Sequence, residues 1–206
     1  MEFNPQKLSS IDTYKILTGS ILPRPIAWVS TIDAAGNVNL APFSFFTVAS
    51  VSPPVLCFSP LINEARNEKD TLSNIRSTGE FVVNIVSHEL TSKMNQTCAP
   101  YAEDVSEFDK AGVAEQPSVV VTPPGVLESR VRFECVLQQV ISFGENFLAG
   151  NLVLGDICHI YIDPDIYQHG QVDFKALDTV GRLAGDFYCT IRDRFAIARP
   201  NIQPEQ

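Results

Sequence analysis

Arg24 and the hydroxyls of Ser30, Thr31, Ser44 and Thr47 crowd into one short stretch, RPIAWVSTIDAAGNVNLAPFSFFT, together with Trp28, Val29, Phe43, Phe45 and Phe46. Hydroxyls and a guanidinium can hold a phosphate, and apolar faces can hold a ring, so the stretch suits a flat, phosphorylated aromatic ligand. A half-buried strand more often turns charged residues to water, and these hydroxyls are therefore expected to face a polar partner. The aromatics suit an ordinary β core equally well. A second group is Lys69-Asp70-Thr71. At a helix start, unpaired N–H groups and the positive helix end attract an anion, and Thr71 adds a donor. Asp70 also reads as a plain N-cap. Arg24, Ser30 and Thr31 would converge on the same dianion. Arg182 is either a surface cation or a contact to a second, phosphate-bearing substrate, and His159 is either a satisfied strand histidine or part of the chemistry.

Other chemistries lack their residues. There is no GxGxxG for a nucleotide on a βαβ unit and no GxSxG nucleophile elbow. The five cysteines are scattered in apolar settings without a CxxC, as free thiols in a reducing compartment would be. The three histidines are far apart, and neighbouring Cys158 and His159 would point to opposite faces of a strand, so no metal site is expected. A formal charge of −9 opposes broad attraction to nucleic acid or an anionic membrane. No apolar run of about eighteen residues occurs, and MEFNPQKLSS has neither a basic nor an apolar leader region. A soluble, cytoplasmic protein is expected.

The 206 residues suit one domain, 1–206, able to bury roughly 70% of its unfolded surface. Residues 25–33 read as a strand after an X-Pro step, Asp33-Ala-Ala-Gly36-Asn37 as a turn, and 38–46 as the returning strand. VLCFSP (55–60) and EFVVNIV (80–86) read as buried strands. A helix is predicted from Asp70 to a C-cap at Gly79, and another from Ser87 to about Met94. Residues 95–130 form a connecting excursion. Alternation predicts long strands over 131–143 and 147–162 around a tight Gly144-Glu145-Asn146 turn, with a bend at Gly155. This order favours a mainly β fold, a β-barrel with inserted helices.

PRPIAWVST, GNVNLAPFSFF, SPPVLCFS, KDTLSNI with GEFVVNIV, and the late VGRLAGDFY resemble, in order and spacing, the flavin reductase-like, FMN-binding split-barrel family. The resemblance runs from about Ile11 to Tyr188. It implies a six-stranded antiparallel Greek-key barrel, a homodimer, and FMN in a groove near the subunit interface. It places Ser30, Thr31, Lys69, Asp70, Thr71 and Asn74 by the phosphate and ribityl chain, and Trp28 to Thr31 with Ser44 to Thr47 along the flavin. The implied activity is hydride transfer from NAD(P)H to flavin, with electrons passed to free flavin or another acceptor. The alternative is a flavoredoxin-like electron carrier with a protein partner. NADH-using members often carry a histidine just after the turn between the long strands. Here that turn reads Gly144-Glu145-Asn146-Phe147.

Overall fold

The computed structural model describes residues 1–64, 68–102 and 105–200. The predicted hairpin forms: β1 (Ala27–Ile32) pairs antiparallel with β2 (Val38–Phe43), from Ala27 opposite Phe43 to Ile32 opposite Val38. Asp33 closes the turn by accepting the Ala35 and Asn37 amides, both at 2.8 Å, while Gly36 adopts φ +93°. The returning strand is shorter than expected. It stops at Phe43, and the chain bends through Ser44 and Phe45 into β3 (Phe46–Val51), which pairs with β4 (Pro54–Phe58).

The next two elements fall close to their sequence signals. Helix α2 (Asp70–Thr78) ends on Gly79 at φ +74°, and β5 (Glu80–Ile85) follows at once. After a 3-10 turn comes α3 (Thr91–Gln96), then α4 (Glu107–Ala111) and the two-residue strands β6 (Glu115–Gln116) and β7 (Gly125–Val126). The long strands β8 (Val131–Ser142) and β9 (Asn151–Ile162) then pair along their whole length. A small pair, β10 (Tyr167–Gln168) with β11 (Gln171–Val172), precedes α5 (Phe174–Leu177), and β12 (Val180–Arg182) pairs with β13 (Tyr188–Thr190).

Seven strands, not six, join one antiparallel sheet in the order β2-β1-β5-β8-β9-β4-β3. Val29, Leu56, Phe58, Phe81, Val83, Cys135 and Val153 meet in one core with Leu72 and Ile75 of α2, and Phe43 and Phe46 pack against it. Residues from every strand thus reach a common interior, so the sheet curls around it. Its edges, β2 and β3, do not pair with each other; the Phe43 and Phe58 rings, 5.2 Å apart, pack across the opening. Full burial of Leu72 and Ile75 supplies about 1.5–3 kcal/mol each for seating α2.

Alternation sends the other face of β1 to a second core. Ile26 and Trp28 pack there with Leu40, Met94 and Phe108, so α3 and α4 cover the outside of the hairpin. One helix falls outside the sequence expectations, and one expectation needs correcting. Helix α1 (Ser10–Ser20), capped by Ser9 accepting the Asp12 amide, has no apolar stripe that points inward; Thr18 is its one buried residue. The β8–β9 connection is also wider than a tight turn. Leu148 and Ala149 bond to Ile62, and Asn151 to Pro60, while the Gly150 carbonyl still accepts the Phe143 amide at 3.0 Å, so the loop leaves the ladder only after Phe143. Gly155 does mark a bend: pairing slips on either side of its partner Leu137, and a Cβ on it would lie 2.3 Å from Phe81 Cζ.

Candidate functional site

The sheet edge at β2 forms one wall of a groove. Two hollows of about 210 and 250 Å³ share Pro42, Phe43 and Cys98 and so run into each other. The Leu40 amide points away from β1 and donates to Glu107 Oε2 at 2.9 Å, and Pro42 has no N–H to leave unpaired on this edge. At one end stands the first turn of α2, which has no side-chain cap, with Lys69, Asp70 and Thr71 lining the hollow. Thr71 Oγ1 accepts from Asn39 Nδ2 at 2.9 Å and keeps its own proton for another acceptor. The opposite wall is residues 97–101. Thr97 is held there by donating to Met94 O at 2.7 Å and accepting from Trp28 Nε1 at 3.0 Å.

Ser44, Asn95, Arg182 and Tyr188 line the other end. The Arg182 guanidinium lies 4.5 Å from the Tyr188 ring centroid and donates to the Gly185 carbonyl, while Tyr188 donates to Asn95 Oδ1 at 3.2 Å. Lys69 and Arg182 are the groove's cations, and neither holds a carboxylate among the described residues. Burial pushes the Glu107 carboxyl up, opposed by the Leu40 amide, with Asp70 pushing it further up. Burial also raises the Cys98 thiol, against the pull of Arg182 and Lys69, so Cys98 lines the groove as a neutral thiol.

Several expected ligands lie elsewhere. Arg24 is buried, and its guanidinium donates to Thr18 O (2.7 Å), Ile21 O (2.9 Å), Leu183 O (2.9 Å) and Ser44 Oγ (3.4 Å). It ties the end of α1 to the β12 segment instead of reaching a phosphate. Ser30 and Thr31 are successive strand residues and so point to opposite faces, where no single dianion meets both. Ser30 donates to Pro124 O at 2.5 Å, and Thr31 accepts from Asn74 Nδ2 at 3.1 Å; both are fully buried. Their polar partners are inside the protein.

Trp28 and Val29 are fully buried, one in each core. Phe45 lines an apolar hollow with Tyr14, Leu17 and Leu61, Phe46 packs on the barrel core, and Thr47 is exposed on the far edge of the sheet. Asn74 lines a polar hollow next to the groove, shared with Asp33, Asp70 and Glu107. His159 is remote: it lies on β9 opposite Glu134, its Nδ1 3.2 Å from Oε1 but not aligned for a hydrogen bond, in a cavity that shares no residue with the groove. Of the expected residues the groove gathers Ser44, Lys69, Asp70, Thr71 and Arg182. It adds Asn39, Pro42, Asn95, Thr97, Cys98, Tyr101, Glu107 and Tyr188. Asn39 and Pro42 sit in the hairpin motif itself, whereas residues 95–107 carry no periodic pattern that would have flagged them.

Residues 18–176 match the family model described as flavin reductase like domain. An uncharacterised protein of Halalkalibacterium halodurans is 39% identical over 204 residues, covering 98% of both chains. Among solved structures, nitrilotriacetate monooxygenase component B from Bacillus cereus is 34% identical with a TM-score of 0.91, covering 96% of this chain and 98% of that one. The 2-nitrobenzoate 2-nitroreductase of Pseudomonas fluorescens is 28% identical with a TM-score of 0.88, covering 100% and 99%.

Proposed function

The chain belongs to the flavin reductase-like family, and on that premise we propose that it is an FMN-binding oxidoreductase that takes hydride from NAD(P)H and passes electrons to free flavin or another acceptor. The observation that carries this reading is the groove on β2. One end has an uncapped helix start with Lys69 and the Thr71 hydroxyl, a donor set that fits a phosphate, and the length between the ends is walled by Pro42, Phe43 and Cys98, which fits an elongated aromatic molecule. The compact phosphate end favours a terminal phosphate, hence FMN over FAD.

When bound, FMN would supply the hydride-accepting and electron-passing chemistry. The chain's own residues then bind and orient. Lys69, Thr71 and the first turn of α2 hold the phosphate, Asn39 fixes the Thr71 hydroxyl, and Trp28 fixes Thr97 from behind the opposite wall. Pro42 and Phe43 support the ring from the edge strand. Positioning and electrostatic support suffice for hydride transfer between stacked rings, and no titrating side chain is required. The name of the Bacillus cereus relative, a monooxygenase component, supports an oxygenase partner as acceptor.

The protein is further proposed to act in the cytoplasm as a homodimer. Helix α1 leaves Ile11, Tyr14 and Leu17 exposed, Tyr14 and Leu17 line the Phe45 hollow, and Tyr14 also lines the groove, so a second copy seated there would border the cofactor site. No helix among the described residues is long and apolar enough to cross a membrane.

Anaerobic mixing of the FMN-loaded protein with NADH and with NADPH, following the visible flavin band, tests the function. Bleaching by at least one nicotinamide is the expected result. Bleaching by dithionite but by neither nicotinamide would overturn the reductase reading and leave the electron-carrier one.

A further inference from the structure

We propose that Arg182 forms a second anion subsite, at the end of the groove away from α2, which takes the phosphate or carboxylate of the second reactant. The proposal rests on the flavin reading above and goes past it by naming the charge that the reactant must carry. Lys69 and Arg182 line different hollows, which meet only at Pro42, Phe43 and Cys98. The single phosphate of FMN cannot answer both cations. Once it lies on the first turn of α2, Arg182 is left at the end where the reactant must arrive.

Arg182 is built as a ligand-holding group. The other described arginines that form ion pairs, Arg76, Arg130 and Arg192, find carboxylates at 3.2, 2.8 and 2.5 Å. Arg182 finds none, in a chain whose formal charge is −9. Its side chain is nevertheless fixed: the guanidinium stacks on Tyr188, whose hydroxyl is tied to Asn95, and one nitrogen donates to Gly185 O. Its backbone is fixed too, by a reciprocal bridge to Arg24 of 3.0 and 2.8 Å. Gly181 lets the two segments approach, because a Cβ there would lie 2.8 Å from Pro23 Cβ.

That bridge brings a second guanidinium close. Arg24 faces backbone carbonyls and no carboxylate; burial lowers its pKa, Tyr14 opposes this, and Arg182 lowers it further. Two cations thus stand together with no carboxylate paired to either among the described residues; Asp186 acts on the Tyr188 hydroxyl but forms no ion pair with Arg182, and the guanidinium lining the groove retains N–H groups in a planar fork suited to phosphate or carboxylate. A dinucleotide pyrophosphate and an aromatic carboxylate share this chemistry.

The test titrates FMN-loaded protein with inorganic pyrophosphate and, separately, with benzoate, reading the perturbation of the flavin spectrum and the heat of binding. At least one anion should bind without displacing FMN. Arg182→Gln should weaken it by at least about tenfold, as the loss of a charge-assisted contact does, Arg182→Lys should restore part of the affinity, and FMN affinity should stay within about twofold in both variants. Pyrophosphate binding alone assigns the subsite to a dinucleotide, and benzoate binding alone to a carboxylated acceptor. Equal affinity in parent and Arg182→Gln, no binding to the parent, or binding only with release of FMN overturns the proposal. Should the parent not bind FMN at all, the flavin reading falls, and calorimetry of the same anions on the protein alone, parent against Arg182→Gln, still decides whether Arg182 holds an anion.

Discussion

Thr71 shows how little of a binding site one residue type determines. Its side chain is buried in the first turn of α2, yet its hydroxyl is oriented by the Asn39 amide so that the proton remains for an acceptor in the groove. Ser30 has the same chemistry and a buried setting, but its proton goes to Pro124 O. Thr71→Val removes the donor while keeping the shape, and it should weaken FMN binding by about 1.5–3 kcal/mol, the usual worth of a hydrogen bond to a charged group. Fluorescence-quenching titrations of parent and variant measure this directly. Unchanged affinity would remove Thr71 from the phosphate contact.

At the scale of elements, residues 117–125 cross the outer face of the barrel as a strap fastened mainly by one carboxylate, with help from a second and from a hydroxyl. Glu134 of β8 accepts the amides of Val119, Val120 and Val121 at 2.8, 2.6 and 3.2 Å, Glu80 of β5 accepts that of Thr122 at 2.8 Å, and Ser30 of β1 secures Pro124. Burial raises the Glu134 pKa, but the three amides, with His159, outweigh it and hold the carboxyl below its ordinary 4.5. A carboxyl depressed in the folded state contributes stability above its unfolded pKa and loses it as the pH falls through the folded value. Glu134→Gln should therefore cost about 1.5–3 kcal/mol at neutral pH. The difference from the parent should shrink in acid, below about pH 4. Urea unfolding of both proteins at neutral and acid pH checks it, and a difference that grows in acid would contradict the assignment.

The whole molecule leaves one helix nearly unburied. A helix of eleven residues gains most of its stability from packing an apolar face, and α1 buries only Thr18 while showing water Ile11, Tyr14, Ile16 and Leu17. A second copy across α1 and the Phe45 hollow would supply the missing contacts. Light scattering at micromolar concentration should give twice the chain mass, and Leu17→Glu should shift it toward one chain with the far-ultraviolet spectrum retained. A parent that scatters as a single chain with FMN bound would rule out the interface.

Much of this protein was legible in its residues because the signals are local. The β1–β2 hairpin follows from Pro25, the apolar run and the Asp33-to-Asn37 turn; α2 follows from Asp70 and Gly79; β8 and β9 follow from their two-residue alternation. Lys69, Thr71 and Arg182 could be named as candidate anion contacts from their residue types at a helix start and next to Gly181, and the structure brings all three to the groove. Which hydroxyls and cations face the groove was decided by tertiary structure alone. Ser30 and Thr31 are adjacent in sequence but separated by the sheet between them, and Arg24 lies where α1 and the segment after β12 present carbonyls to it. The opposite wall, residues 97–101, comes from a stretch without periodicity, because its place is set by where α3 ends against Trp28. The reason is physical: turns, caps and alternation depend on neighbours along the chain, whereas a binding surface depends on which faces the folded sheet leaves uncovered.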